Sequence, residues 1–298
     1  MPGPLDLDDD DAYQRWRQRK LDTAPRRIED IIAPIDDPRR LSAAEQRRLI
    51  ELNAVCNMSI YASACGEDDD KEIVRALGRK MGLHSLDDHW LTDSDGVSPL
   101  SVSGADERRE RGDFIPYTDR PIKWHTDGYY NEPQRRVCAI ILHCVRSAVS
   151  GGDNQLLDHE MAYIVLRDEN PDHIRALSRH DVLTIPARLD DNGAVLREAR
   201  SGPVFSPNAD GSLHMRYTAR RISVLWRNDA ATRAAVAALE RLLAAPAPWA
   251  LRGRLEPGMG LLCNNVLHDR SGFDESEQRR RLLYRARYHE RVTSSRQE

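Results

Sequence analysis

Apolar residues crowd together in Val137-Cys-Ala-Ile-Ile-Leu-His-Cys-Val145. The run is too short to span a bilayer and is rich in β-branched residues, so it predicts a buried strand. His143 within it reads as a hydrogen-bonded core residue, not a ligand. Leu213 to Thr218 and Met259 to Val266 predict further strands, the latter running on to a polar end at His268. Arg279-Arg280-Arg281-Leu-Leu-Tyr-Arg285-Ala-Arg287-Tyr288 alternates. As a strand it places Arg281, Leu283, Arg285 and Arg287 on one face. Helices need other signals. Ser42-Ala-Ala-Glu45 is a capping box and opens a helix through Leu49, Ile50 and Leu52. A second helix is expected over 70–81, stopped by Gly82. A third is capped by Asp158, runs to about Asp168 and stops at Pro171. A fourth runs from Asn228-Asp229 to about Leu243, with Pro246 and Pro248 beyond. Residues 1–24, acidic then Arg-rich, predict a loosely held arm, and 25–298 a single domain. Residues 84–113 are polar and irregular, ending in the charge cluster 106–113, a candidate mobile loop before the chemistry begins.

The row of arginines changes the picture. An unpaired guanidinium on a buried strand face is costly, and an anionic ligand would relieve that cost, because Arg grips carboxylates with two parallel hydrogen bonds. The bland alternative is an edge strand with a solvated basic face. A second signal points to metal chemistry. His125-Thr126-Asp127 places an imidazole and a carboxylate on one side of an extended segment, and His268 follows far downstream. Two His and one carboxylate can hold a non-haem Fe(II) on one face and leave the other open. With ten His in the chain, His-x-Asp alone would equally fit an exposed polar turn, so the downstream context has to carry the weight.

Composition narrows the field. The 298 residues carry a net charge of −4, with 31% charged, so there is no basic bias toward nucleic acid. Lys occurs only at 20, 71, 80 and 123; we read the arginine excess as codon bias. No segment reads as a membrane span or a signal peptide. Five cysteines with no C-x-x-C pair suggest free thiols in a reducing cytoplasm.

Taken together, Trp124-His125-Thr126-Asp127-Gly128, Ser150-Gly151-Gly152-Asp153-Asn154, Leu267-His268-Asp269-Arg270 and the Arg281…Arg285 pair resemble the taurine dioxygenase (TauD/TfdA) family of Fe(II)/2-oxoglutarate-dependent oxygenases. The look is nearest to the glutarate hydroxylase branch, which shares Met215-Arg216-Tyr217 and extra arginines on the last strand. The resemblance implies a mainly β fold with flanking helices around a double-stranded β-helix (jelly-roll) core. It implies His125, Asp127 and His268 as the iron ligands and catalytic centre. It implies Arg281 as the partner of the distal carboxylate of 2-oxoglutarate. Arg280 would be chosen by a one-position slip, but it points the other way. Asn154 stands where the family carries a Thr or Ser whose hydroxyl touches 2-oxoglutarate. Arg285 matches the position that grips an anionic substrate group, with Arg287, Arg216, Tyr117 and Tyr129 as further substrate-side candidates.

The implied reaction is hydroxylation of an unactivated C–H of a small anionic metabolite, or hydroxylation that collapses to C–X cleavage, with release of succinate and CO2. Halogenating relatives lack the carboxylate that Asp127 supplies. The alternatives are a metal-dependent enzyme of another reaction type on the same scaffold and a catalytically silent binding protein. The expected partner is a small-molecule substrate, with no nucleic acid and no membrane; a homo-oligomer, dimer or tetramer, is compatible with the sequence.

Overall fold

The computed structural model describes residues 3–87, 95–102, 114–190, 192–220 and 224–293. The chain divides into two compact units, one of 1–24, 123–136 and 157–250, the other of 25–122, 137–156 and 251–298. Residues 1–24, expected as an arm beside a single domain of 25–298, group instead with 123–136 and 157–250, and they are no loose arm.

The second unit is built on a six-stranded sheet. Its strands are β1 (Ile32–Pro34), β2 (Met58–Ala62), β3 (Val97–Leu100), β5 (Ala139–Arg146), β8 (Met259–Cys263) and β10 (Leu282–Tyr288), in the order β1-β2-β8-β5-β10-β3. The intervening numbers belong to β4 (Ile122–His125), β6 (Asn154–Leu157), β7 (Leu251–Gly253) and β9 (Leu267–Arg270). All neighbours in the six-stranded sheet are antiparallel except β1 and β2. The period-2 rule sorts the faces. Tyr284, Ala286 and Tyr288 of β10 pack with Leu49 and Leu52 of helix α2 (Ala43–Cys56) and Val74 and Leu77 of α3 (Glu72–Lys80). Leu283 faces the other way, among Ile60, Leu142, Cys144 and Leu261. Arg285 lies directly across from Leu142 and Ser98 on that same interior face.

The helix signals hold where capping chemistry is local. Ser42 Oγ accepts from the Glu45 N–H and the Glu45 carboxylate accepts from the Ser42 N–H, closing the box. Pro171 does more than stop a helix. It ends α4 (His159–Glu169) and occupies the first turn of α5 (Pro171–Leu177), where its missing N–H costs nothing. Asp229 caps α6 (Ala230–Ala244).

Two expectations are corrected. Residues 10–23 form helix α1, whose Tyr13, Trp16 and Lys20 are buried. Those positions fall on one stripe of a helix, which the acidic flank disguises in the sequence. Lys20 Nζ meets Asp158 at 2.6 Å and Glu160 at 2.8 Å, and the Tyr13 hydroxyl donates to Asp168 at 2.7 Å. The apolar run into His268 is likewise not one strand. It breaks at Asn264-Asn265, where Asn265 adopts φ 51°, and His268 belongs to the next strand, β9. Asn tolerates this left-handed turn better than most residues. Residues 106–113 of the polar segment lie outside the described residues; 97–100 form β3.

Candidate metal centre

The His125 strand is locked from behind. The Thr126 N–H donates to the Tyr217 carbonyl at 3.0 Å and its hydroxyl accepts from the Tyr217 N–H at 3.1 Å. Ala219 N–H donates to the Trp124 carbonyl at 2.9 Å, and the Trp124 indole N–H donates to the Leu243 carbonyl at 3.0 Å. With Trp124 and Thr126 committed to this seam, alternation turns His125 and Asp127 the other way. One His125 ring nitrogen, Nδ1, lies 2.9 Å from the Lys123 carbonyl, and Nε2 is 3.5 Å from Asp127 Oδ1.

His268 is prepared in the same way. Its Nδ1 lies 2.9 Å from the Val266 carbonyl. A carbonyl accepts only, so in each ring Nδ1 carries the hydrogen and the lone pair is presented on Nε2. One ligand atom from each of His125, Asp127 and His268 lies within 4.8 Å of the other two. Two imidazoles and a carboxylate on so short a span fit a non-haem Fe(II) in a facial site. The sequence-predicted ligand set is therefore brought together.

The strand that carries His268 is braced by the Gly-Gly-Asp segment. Asn154 Nδ2 donates to the Asp269 carbonyl at 2.6 Å, while Gln155 donates to both oxygens of the Asp269 carboxylate through its backbone N–H at 2.8 Å and its side-chain amide at 2.9 Å. Asp153 and Ser271 add two further bonds. Asn154, expected at the 2-oxoglutarate site, spends one amide hydrogen on this carbonyl next to His268.

Arg281 is 5% exposed, while Arg280 is exposed. Its guanidinium sits over the Phe273 ring at 4.9 Å. Among the described residues it makes no ion pair, and burial pulls its pKa down to about 10. Cys144 beside it is no counter-ion: burial pushes that thiol up to about 12. Gly151 and Gly152 turn with φ of 70° and 75°, and Gly152 passes beside it, where a Cβ would lie 3.6 Å from Arg281 Nε. The positive φ values are what call for glycine here.

The remaining candidates separate. Arg285 is buried at 9% exposure on the interior sheet face. Arg287 forms a buried ion pair with Asp87, so its charge is already answered within the protein. Tyr117 is packed in the interior among Leu142, Leu261 and Leu283. Tyr129 stands edge-on to Tyr130 at 5.2 Å. Arg216 spends its fork on backbone: Nε donates to Tyr129 at 2.7 Å, Nη1 to Leu183 at 3.0 Å and Gly202 at 3.4 Å, and Nη2 to Arg200 at 2.8 Å. It does not offer the free fork that the sequence suggested. Arg270, to which the sequence assigned no role, stacks on Phe273 at 4.8 Å and donates to the Thr118 and Arg120 carbonyls. Its position two residues after His268 on the same strand was the available signal.

Residues 39–287 match the model of the family described as taurine catabolism dioxygenase TauD, TfdA family. A uridine-5'-phosphate dioxygenase from Amycolatopsis sp is 33% identical over 181 residues, covering 58% of this chain and 62% of the relative. One from Streptomyces sp is 33% identical over 175 residues, covering 57% and 62%. The chain thus aligns with somewhat under two thirds of the length of these relatives. Among solved structures, an asparagine oxygenase in complex with Fe(II), 2S,3S-3-hydroxyasparagine and succinate aligns over 95% of this chain and 92% of its own, with TM-score 0.61 at 13% identity. The non-heme iron oxygenase OrfP in complex with Fe and alpha-ketoglutaric acid aligns over 87% and 82%, with TM-score 0.58 at 17% identity. These likenesses establish the mainly β, helix-flanked oxygenase fold.

Proposed function

The chain belongs to the TauD/TfdA family, and from that premise we propose that it is an Fe(II)- and 2-oxoglutarate-dependent dioxygenase that hydroxylates a C–H of a small anionic metabolite. The observation that carries this reading is the His125, Asp127 and His268 donor set within 4.8 Å. Arg281, buried and without an ion pair among the described residues, supports the co-substrate assignment.

Iron held by these three residues, with 2-oxoglutarate and O2, supplies the oxidising power that no side chain has. The protein supplies the geometry. The carbonyls of Lys123 and Val266 hold each imidazole with Nε2 forward. Asp127 contributes the one negative charge of the ligand set. Arg281 seats the distal carboxylate of 2-oxoglutarate. Because the guanidinium is already stripped of water, little solvent has to be displaced when that carboxylate arrives. Asn154 and Gln155 hold the His268 strand in register. Arg285 is the substrate-side arginine of the same sheet face. Phosphate esters join carboxylates and sulfonates as substrate candidates, because the named relatives are uridine-5'-phosphate dioxygenases.

The decisive experiment is succinate release with Fe(II), ascorbate and 2-oxoglutarate across a panel of anionic metabolites that includes uridine 5'-phosphate. Substrate-stimulated succinate is the expected result. A protein that binds Fe(II) but never consumes 2-oxoglutarate belongs to another reaction class. No helix among the described residues is long and apolar enough to cross a membrane. That none of the five cysteines is in a disulfide supports placing the enzyme in the cytoplasm.

A further inference from the structure

We propose that Phe273 is a positioning residue for 2-oxoglutarate: its ring holds the Arg281 guanidinium in place without using any of its N–H donors, and Arg270 in turn holds the ring. The role rests on the reading above, in which Arg281 seats the distal carboxylate.

A buried guanidinium has to be held by something. Arg287 is held by the Asp87 carboxylate, and Arg216 by four backbone carbonyls. Contacts of that kind consume N–H donors that a ligand would need. Arg281 is held differently. The Phe273 ring centre lies 4.9 Å from its guanidinium carbon, and among the described residues its side chain makes no ion pair. The Glu275 carboxylate accepts from the Arg281 backbone N–H at 2.7 Å, which leaves the fork itself out of that contact. An aromatic face attracts a cation through the negative charge above its ring. It engages the guanidinium as a charge and takes up none of the N–H groups in the guanidinium plane. The arginine is thus oriented and still has its fork to offer to a carboxylate.

The ring is itself fixed. Phe273 is buried. Its N–H donates to the Asp119 carbonyl at 3.1 Å, and it stands opposite Gly151 in a two-residue antiparallel pairing. Arg270 stands over the same ring at 4.8 Å. Unlike Arg281, it is spent on backbone: Nη2 donates to the Thr118 carbonyl at 2.7 Å and the Arg120 carbonyl at 2.5 Å, and Nη1 donates to the Pro116 carbonyl at 3.5 Å. Arg270 therefore binds no ligand. It pins the ring between strand β9 and the 116–120 segment. Two arginines share one phenyl ring, the first to fix it and the second to be fixed by it.

The test measures binding, not turnover. 2-Oxoglutarate and 2-oxobutyrate, a keto acid without the distal carboxylate, are titrated calorimetrically and without oxygen into the Fe(II)-loaded full chain. The proteins are wild type, Phe273→Leu, Phe273→Tyr, Arg281→Ala and the Phe273→Leu/Arg281→Ala double variant. Phe273→Leu keeps an apolar side chain and removes the aromatic face. It is expected to weaken 2-oxoglutarate at least about fivefold, the size of a desolvated cation–aromatic contact, and to leave 2-oxobutyrate and Fe(II) affinities unchanged. Phe273→Tyr should retain wild-type affinity. In the Arg281→Ala background Phe273→Leu should add nothing, because the ring acts only through the guanidinium. Thermal melts check folding, and Phe273→Met carries the same expectations should the leucine variant not fold. Equal weakening of both keto acids would make Phe273 a merely structural residue and overturn the proposal. So would unchanged 2-oxoglutarate affinity in Phe273→Leu beside a weakened Arg281→Ala. Undiminished 2-oxoglutarate affinity in Arg281→Ala would instead overturn the reading that Arg281 seats the carboxylate, and the role of Phe273 with it.

Discussion

Arg281, just before strand β10, and Arg287, near the end of it, are chemically identical side chains in opposite circumstances. Both are buried, at 5% and 3% exposure. At one end Arg287 meets the carboxylate of Asp87, itself 2% exposed. By contrast the Arg281 guanidinium has the Phe273 ring and Gly152 beside it and makes no ion pair among the described residues; the Glu275 carboxylate accepts from its backbone N–H at 2.7 Å instead. A buried cation supplied with its own anion serves stability. One left without an anion costs stability and is ready to bind a ligand's. Burial and sequence position do not distinguish the two; the partner does.

The proposed metal centre gives the largest expected effect. Asp127→Ala or His268→Ala should abolish Fe(II) binding and turnover while leaving the far-UV circular dichroism unchanged, because both residues act as donors in one facial site. Normal succinate production by Asp127→Ala would remove the assigned centre.

Arg287→Ala should then show the structural end of the strand. It strands the Asp87 carboxylate, so stability should fall by about 3–5 kcal/mol in urea titration, with the 2-oxoglutarate requirement of the folded fraction little changed. Arg281→Ala should do the reverse. It strands no partner, so its melting temperature should hold or rise, while the 2-oxoglutarate requirement rises by about 2–5 kcal/mol, at least tenfold in concentration. Equal stability losses in the two variants would dissolve the comparison. Arg280→Ala, at an exposed position, should do little to either measurement.

A smaller effect comes from a buried group with no ligand role. His143 accepts or donates one hydrogen bond with Tyr61 at 3.0 Å, and burial lowers its pKa to about 4 from 6.5. The folded state therefore takes up fewer protons than the unfolded chain between those values. This contribution is fully present above the unfolded pKa and is lost as pH falls from about 6.5 to about 4, amounting to roughly 3 kcal/mol. Urea midpoints across that window should fall less steeply for His143→Gln than for wild type. Parallel slopes would show that other groups govern acid sensitivity.

The smallest contrast is Arg285→Lys, which keeps the charge and removes the fork. It should weaken an anionic substrate and leave substrate-free 2-oxoglutarate decay nearly intact. Proportional loss of both would assign Arg285 to the co-substrate.

Much of this was legible in the chain because its causes are local. The His-x-Asp spacing, the alternation over 281–288, the Ser42/Glu45 box and the Asp158 and Asp229 caps depend on neighbours within a few residues, and backbone periodicity alone turns them into faces and ends. What remained hidden depends on groups far apart in sequence. The acidic flank of α1 looked loose because Lys20 finds Asp158 and Glu160 only across the fold. Arg216 looked like a substrate fork until Leu183, Arg200 and Gly202 brought their carbonyls to it. The sequence by itself determined which donors and which cations this protein owns. The tertiary structure decided which of those charges are answered from within and which wait for a ligand, because electrostatic pairing depends on distances in space that only folding sets.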